Sequence, residues 1–156
     1  MDLLDKIQIV NVSDVGKRRP HNEDSTLSDA QEGLVILADG MGGYKAGEVA
    51  SAIAVSSTHH EILSGLSKIH RGKNDENSGL SLESEVIKNA IILVNSEIYN
   101  TAQTDEACHG MGTTIIVVLF HDNKCTIGHV GDSRVYRKRG ESFAQITKDP
   151  SLIQEL

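Results

Sequence analysis

Aromatic residues are scarce in this chain of 156 residues, which has three tyrosines, two phenylalanines and no tryptophan. Large aromatic side chains therefore cannot dominate the interior, and we expect a core of isoleucine, valine, leucine and alanine. The length is sufficient to bury a sizeable core and predicts a single domain over residues 1–156. The hydrophobic fraction of 38% and the charged fraction of 24% are typical of ordinary globular proteins.

The chain also has few cysteines, fewer basic than acidic residues and no long apolar run. Each of these features excludes or disfavours a class of protein. The two cysteines, Cys108 and Cys125, form no Cys-x-x-Cys pair, so we expect reduced structural thiols. The net charge of −7 disfavours nonspecific nucleic-acid binding, because phosphates repel such a surface. No apolar run approaches the ~18–20 residues of a membrane span, and the first residues lack a signal-peptide pattern. We therefore expect a soluble, cytoplasmic protein with no membrane partner.

Several common active-site motifs are missing from the sequence. It has no Walker A loop, no Gly-x-Ser-x-Gly elbow and no Cys-x5-Arg loop, so a covalent cysteine mechanism is disfavoured. The seven histidines are scattered, and no His-Glu-x-x-His spacing favours a zinc site. His59 and His60 are interpreted as a solvated or half-buried pair on a helix.

Hydrophobic periodicity predicts a mixture of helices and antiparallel strands. Helical spacing of apolar residues predicts helices over residues 46–66 and from Ser81 onward, with Ser81 as the cap and Glu83 and Glu85 in the first turn. Alternating or β-branched runs predict strands, the last four of which form an antiparallel meander. The predicted strands cover residues 6–13, 24–29, 34–38, 113–120, 124–130, 133–138 and 142–147. A final helix is predicted to open at Asp149.

The stretch Leu34–Gly43 combines a buried strand with a carboxylate. Five apolar residues lead without a polar break to Asp39, which is followed by glycines. A strand that ends in this way can present a metal ligand or a catalytic acid. The glycines let backbone groups approach the same point, because they have no Cβ and tolerate positive φ. Taken alone, the pattern is more often a turn.

Two other polar clusters accompany Asp39. Arg19, Glu23 and Asp24 share one predicted loop, and Asp132 follows a glycine that interrupts the meander. A guanidinium suits phosphate because its planar fork donates two parallel charge-assisted hydrogen bonds. Carboxylates and backbone carbonyls without nearby histidine or cysteine favour Mg²⁺ or Mn²⁺ over zinc. Two such ions bridged by one aspartate can orient and deprotonate a water for attack on phosphorus.

Each cluster also has an ordinary structural explanation. Arg19 with Glu23 or Asp24 is more often a surface ion pair, and Asp132 can simply cap a turn. The individual clusters therefore do not decide the function, and their order along the chain carries the argument.

The motifs follow one another in a recognisable order. They are Gly16-x-x-Arg19-x-x-Asn22-Glu23-Asp24, Val35–Gly43, Gly112-Thr113-Thr114, Val130-Gly131-Asp132-Ser133-Arg134 and Thr147-Lys148-Asp149. In this order they resemble the bacterial branch of the metal-dependent serine/threonine protein phosphatases (type 2C, PPM family), over nearly the whole chain. The resemblance implies an α+β fold: an α-β-β-α sandwich of antiparallel sheets flanked by helices, with metal ions at one end between the sheets.

The resemblance also implies a role for each acidic residue. Asp39 would bridge two metal ions, and Gly40 would give one of them its backbone carbonyl. Glu23 would bind through metal waters, with Asp24 as a nearby outer acid. Asp132 would contribute to a third, weaker metal site. The implied cofactors are two or three ions of Mg²⁺ or Mn²⁺.

For the substrate, the resemblance assigns the phosphate group to Arg19. Catalysis would depend on Arg19 and Asp39, and would hydrolyse phosphoserine or phosphothreonine in proteins by metal-activated water, without a phosphoenzyme. The implied partners are phosphorylated proteins made by a bacterial serine/threonine kinase in signal transduction, and no nucleic acid.

Two features depart from the family pattern. Met41 stands where the eukaryotic branch has a histidine that serves as general acid, which leaves the leaving-group proton donor unassigned. The two later aspartate motifs that complete the family's metal site have no match after Asp132. We therefore expect residues 1–156 to be the N-terminal portion of a phosphatase domain, truncated at its C-terminal end. We also expect weak metal binding, little activity, and sheet edges open to self-association.

Two other functions stay open at this point. A non-catalytic phosphatase-like module would bind a phosphoprotein or another partner through the exposed sandwich. A plain metal- or phosphate-binding domain would hold its ligand tightly without hydrolysis.

Overall fold

The computed structural model describes Leu3, residues 5–43 and residues 45–150. Within these residues the chain forms seven strands, two long helices and one short 3-10 helix. The strands are β1 Asp24–Asp29, β2 Leu34–Met41, β3 Gly112–Thr113, β4 Ile115–His121, β5 Lys124–Val130, β6 Tyr136–Arg139 and β7 Ser142–Gln145. The helices are α1 Ala46–Leu66, α2 Leu82–Thr104 and the 3-10 helix Glu106–Cys108.

Antiparallel pairing builds one main sheet in the order β1-β2-β4-β5, with the short β3 also paired to β2. The first two strands are paired so that Asp24 lies opposite Asp39. In the next pair Leu34 lies opposite Leu119, and the chain then turns back into β5. The strands β6 and β7 form a separate two-stranded sheet. This register brings the end of β2 and the start of β1 to the same edge of the main sheet.

Aliphatic side chains fill the core, as the scarcity of aromatics predicts. Leu34, Ile36 and Ala38 alternate along β2 and are fully buried. On α1, small residues such as Ala50 and Ala54 are also buried, which lets the helix lie close to the sheet. The core between sheet and helices is aliphatic throughout, with these principal members: Leu34, Ile36, Ala38, Ala54, Val55, Ile62, Leu66, Ile87, Ala90, Ile115, Val117 and Leu119.

The opposite face of the main sheet also carries apolar side chains. Leu37 and Phe120 point away from the helices and are 36% and 37% exposed. Their neighbours on this face, Val35 and Val118, lie directly opposite each other across β2 and β4. The main sheet is therefore apolar on both faces. Neither helix in the described ranges is both long and apolar enough to cross a membrane.

The second helix begins as the sequence predicts. The Ser81 hydroxyl accepts a hydrogen bond from the Ser84 backbone N–H at 3.1 Å, which satisfies one of the free donors of the first turn. Glu83 and Glu85 occupy that turn. Glu83, however, is fully buried. It therefore does not interact with the positive end of the helix dipole from a solvent-exposed position, as first-turn acidic residues commonly do.

The prediction of a strand over residues 6–13 is wrong. These residues form no ladder in the structure. Their tie to the nearest sheet edge is a side-chain hydrogen bond, from Asn11 Nδ2 to Ser28 Oγ at 2.9 Å. A strand needs a neighbour to receive its backbone hydrogen bonds, and β1 is paired with β2 on one side without taking up this segment on the other.

The predicted four-strand meander is also wrong, since it splits into two hairpins. Gly131 has a φ of +97° and turns the chain out of the ladder after β5. The strand expected over residues 133–138 begins only at Tyr136, and its partner β7 ends at Gln145. The helix expected to open at Asp149 falls mostly on residues 151–156, which lie outside the described part of the chain.

Candidate metal and phosphate site

The candidate site lies at the edge of the main sheet where β2 ends. Asp24 opens β1 and is the register partner of Asp39, so two carboxylates stand side by side on neighbouring strands. Asp39 is exposed at this edge, whereas the next residue, Gly40, is buried. The alternation of β2 therefore places the Asp39 carboxylate at the surface and Gly40 in the interior.

Glycine at two positions lets the start of α1 pack directly on this edge. A Cβ placed on Gly40 would collide with the backbone carbonyl oxygen of Gly47, and one placed on Gly47 would collide with the Glu23 carboxylate. The Gly40 N–H also donates to the Glu23 carbonyl at 3.0 Å. Because Gly40 and Gly47 have no side chains, β2, α1 and the Glu23 loop can pack directly against one another.

Thr114 connects Asp39 to the loop that carries Asp132. Its side-chain hydroxyl accepts a hydrogen bond from the Asp39 N–H at 3.0 Å, and its own N–H donates to the Asp39 carbonyl at 2.9 Å. The same hydroxyl lies 2.7 Å from Ser133 Oγ. Thr114 is 3% exposed, so this link is shielded from water. Gly131 packs against it closely enough that a Cβ would lie 2.7 Å from Thr114 Cγ2.

The carboxylates at this edge repel one another. Partial burial of its carboxyl group raises the pKa of Asp39, and the charge of Asp24, a hydrogen bond with Asp24 and the charge of Asp132 raise it further. The positive charge of Arg19 acts in the opposite direction and does not overcome these effects. The negative charges of Asp24, Asp39 and Asp132 are therefore not balanced by Arg19. Carboxylate oxygens of this kind suit a hard divalent cation. The residues present therefore fit a Mg²⁺ or Mn²⁺ ion.

Arg19 forms an ion pair with Glu23 at the rim of the site. Its Nη1 donates to Glu23 Oε2 at 3.1 Å, with the Arg19 side chain 73% exposed and that of Glu23 14% exposed. The loop is braced by Asn22, whose amide oxygen accepts from the Asp24 N–H at 3.0 Å. A shallow pocket opens beside this pair and is lined by Arg19, Pro20, His21, Glu23, Met41 and Gly42. The guanidinium thus stands at the mouth of a pocket next to the carboxylates.

The structure brings all six predicted site residues to one edge, five by direct contact or register and Asp132 indirectly. Asp132 reaches it through the bond between Thr114 and Ser133 and through its effect on the pKa of Asp39. Arg134 faces elsewhere: its Nε donates to both Asp149 carboxylate oxygens at 3.1 and 3.0 Å. These hydrogen bonds lower the pKa of Asp149.

Sequence reasoning missed the role of Thr114. The residue belongs to one of the motifs that resemble the phosphatases, but its type alone indicates only a β-strand. Its position directly before the apolar run of β4 is the signal that could have identified it, because that run predicts burial and buried hydroxyls are hydrogen-bonded to a partner. Which partner it binds depends on strand register, which the sequence does not give.

The chain matches the family model described as Protein phosphatase 2C over residues 17–152. It is 35% identical over 153 residues to Protein phosphatase PhpP of Streptococcus pneumoniae, covering 96% of this chain and 58% of that protein. It is 37% identical over 144 residues to Serine/threonine protein phosphatase PstP of Mycobacterium tuberculosis, covering 92% of this chain and 25% of that protein.

A similar solved structure is the catalytic domain of the phosphatase PstP in complex with two manganese ions. It superposes with a TM-score of 0.74 at 35% sequence identity, covering 92% of this chain and 56% of that chain. This chain therefore spans little more than half of PhpP and of the solved PstP domain. The antiparallel sheets, the two helices and the matched sequence agree with one another. The chain belongs to the protein phosphatase 2C family.

Proposed function

We propose that the protein carrying this chain hydrolyses phosphoserine and phosphothreonine in proteins, using Mg²⁺ or Mn²⁺. The observation that carries the proposal is the pairing of Asp24 with Asp39 at one sheet edge, near enough to Asp132 that burial and the repulsion by Asp24 and Asp132 together raise the pKa of Asp39. A divalent cation relieves that repulsion. PhpP is named a protein phosphatase and PstP a serine/threonine protein phosphatase, and the PstP catalytic domain was solved with two manganese ions.

The acidic residues of the site would hold the metal ions. Asp39 would bridge two of them, Gly40 would offer its carbonyl, and Asp132 would serve a third ion. Glu23 would bind the metal ions through water molecules, and Asp24 would be a nearby acid that does not contact the ions directly. Once bound, divalent ions supply the charge that lowers the pKa of a water molecule and neutralises the phosphoryl oxygens.

The substrate phosphate would bind to Arg19 at the pocket mouth. In the metal-free site this guanidinium pairs with Glu23, and an arriving phosphate dianion would compete for its donors. The substrates would be phosphorylated proteins made by a bacterial serine/threonine kinase, and the protein would act in the cytoplasm. Residues 1–156 would form the N-terminal portion of a single phosphatase domain.

The decisive experiment measures Mn²⁺-dependent release of phosphate from a phosphothreonine peptide by the product of the full reading frame that encodes this chain. We expect Asp39→Asn to lower kcat at least about a hundredfold, since it removes the bridging charge. Asp105→Asn, an exposed carboxylate on another loop, is the control and should retain activity. Equal activity in wild type and Asp39→Asn would refute the proposal.

The 156-residue chain is assayed separately. With p-nitrophenyl phosphate and Mn²⁺ we expect at most a trace of turnover, because the chain carries only the part of the ligand set described above. Robust Asp39-dependent turnover by this chain would show that its own carboxylates suffice.

A second candidate function is a non-catalytic binding module. The exposed apolar pair Leu37 and Phe120, on the sheet face away from the helices, favours it, because such a face suits a protein partner. The same face and the strand edges would also support self-association of this chain. The peptide assay separates the two functions, since a binding module releases no phosphate.

A further inference from the structure

A second cluster of metal-binding side chains lies far from the site just described. It consists of Glu83 in the first turn of α2, His121 at the end of β4 and Asp122 in the following turn, with one ligand atom from each within 4.8 Å of the others. Thr114, beside Asp39, precedes β4, and His121 ends it. Seven residues of extended chain separate the two positions by roughly 23 Å, so this cluster is independent of the phosphatase carboxylates.

Two atoms of the cluster are buried without a hydrogen-bond partner among the described residues. They are Glu83 Oε2, on a residue that is fully buried, and His121 Nδ1, on a side chain that is 6% exposed. Leaving such groups unpaired costs free energy, so native proteins pair them with protein, water or an ion. Both atoms belong to the same small cluster, which points to one shared ligand.

The geometry distinguishes a cation from a simple ion pair. His121 Nδ1 lies 3.8 Å from Glu83 Oε1 and 3.6 Å from Asp122 Oδ2, both too long for a hydrogen bond. Ligands at about 2.1 Å from a tetrahedral Zn²⁺ lie about 3.4 Å from one another. The separation between His121 Nδ1 and Asp122 Oδ2 is close to that value. One ligand atom of Glu83 lies within 4.8 Å of both, so side-chain adjustments would complete such a site.

The surroundings hold the two buried ligands in place. His121 Nε2 lies 2.8 Å from Thr126 Oγ1, and when Nε2–H donates to that hydroxyl, Nδ1 carries the lone pair that binds metal. Glu83 Oε1 accepts from the Gly72 N–H at 2.8 Å, which leaves Oε2 for a ligand. Gly72 also leaves room for the Asp122 carboxylate, since a Cβ on Gly72 would lie 3.1 Å from Asp122 Oδ2. This is the support that metal-binding histidines and carboxylates usually have.

We propose that Glu83, His121 and Asp122 bind Zn²⁺, with a water as the fourth ligand. One imidazole and two carboxylates suit Zn²⁺ better than Mg²⁺ or Ca²⁺, which prefer oxygen ligands alone. Asp122, with its side chain 53% exposed, gives the ion a path from solvent. The ion would link the start of α2 to the β4–β5 turn and act structurally, separately from the phosphatase chemistry.

The test is calorimetric titration of the metal-free chain with ZnCl2 in excess Mg²⁺, which competes with Zn²⁺ for the oxygen-only site. We expect one Zn²⁺ site, weakened at least about tenfold in Asp122→Asn and in Glu83→Gln, the loss seen when even a supporting residue is removed. Asn tolerates the left-handed backbone of Asp122, whose φ is +47°, so this variant should fold even if Glu83→Gln does not. Glu76→Gln on the exposed 71–80 loop and Asp39→Asn are the controls and should bind Zn²⁺ like wild type.

Nuclear magnetic resonance of the histidine ring nitrogens gives a readout specific to the site. Zn²⁺ should shift the Nδ1 resonance of His121 in wild type and not in Asp122→Asn at the same Zn²⁺ concentration. Unchanged Zn²⁺ affinity in Asp122→Asn would overturn the proposal, as would Zn²⁺ binding that leaves the His121 Nδ1 resonance unmoved.

Discussion

At the scale of single residues, Asp39 contributes to the dependence of the metal-free chain's stability on pH. Its pKa is raised in the folded state, so the folded chain holds this proton more tightly than the unfolded chain does. The stabilising effect is complete below the unfolded pKa and is lost as pH rises through the folded pKa. The stability of wild type relative to Asp39→Asn should therefore fall as pH rises through the folded pKa of Asp39, which urea unfolding in the presence of a chelator measures.

The same unfolding measurement is repeated with added Mn²⁺ for wild type and Asp39→Asn. A cation bound at Asp39 stabilises the folded chain by mass action, so Mn²⁺ should raise the unfolding midpoint of wild type and leave that of Asp39→Asn almost unchanged. If the stability difference between the two proteins does not vary with pH, the carboxylates do not interact as the structure indicates.

At the scale of elements, the site depends on the close approach of β2 and α1. Gly40→Ala places a methyl group against the Gly47 carbonyl oxygen, a backbone atom that cannot move without shifting the helix. We expect a loss of about 3 kcal/mol in the free energy of unfolding, at the upper end for overpacking. Chemical denaturation measures this loss.

Gly43→Ala is the control for that substitution. Gly43 lies three residues further along, and a Cβ there meets no atom within 4 Å. We expect a change of at most about 0.5 kcal/mol, as at ordinary surface positions. If the two alanine variants are equally stable, packing of α1 on β2 does not depend on glycine.

At the scale of the whole molecule, the apolar outer face of the main sheet should promote association. Leu37 and Phe120 are exposed on this face. The double variant Leu37→Lys, Phe120→Lys should weaken self-association at least about tenfold, or about 1.4 kcal/mol, because charge is costly to bury there. Sedimentation velocity over a concentration series measures it.

Val12→Lys tests whether charge alone explains any such effect. Val12 is 84% exposed and lies on the N-terminal segment outside the sheets, so this variant should associate like wild type. A wild-type chain that stays monomeric across the series would contradict the expectation of self-association.

Local sequence patterns predict most of the secondary structure of this protein. The two helices and the strands from 24–29 to 124–130 follow from apolar periodicity, and Ser81 caps α2 as its residue type predicts. The run from Leu34 to Asp39 predicted a buried strand that carries an exposed carboxylate near its end, as β2 does. These features depend on neighbours a few residues apart, whose side chains are read directly from the sequence.

Only the tertiary structure decided the features that join distant residues. Thr114 is bonded to Asp39 across 75 positions, and Glu83 meets His121 because α2 packs beside the β4–β5 turn. The isolated segment 6–13 likewise has a strand pattern and yet no ladder. Strand register and helix packing set these contacts, and both depend on the sum of many weak interactions across the core rather than on any local pattern.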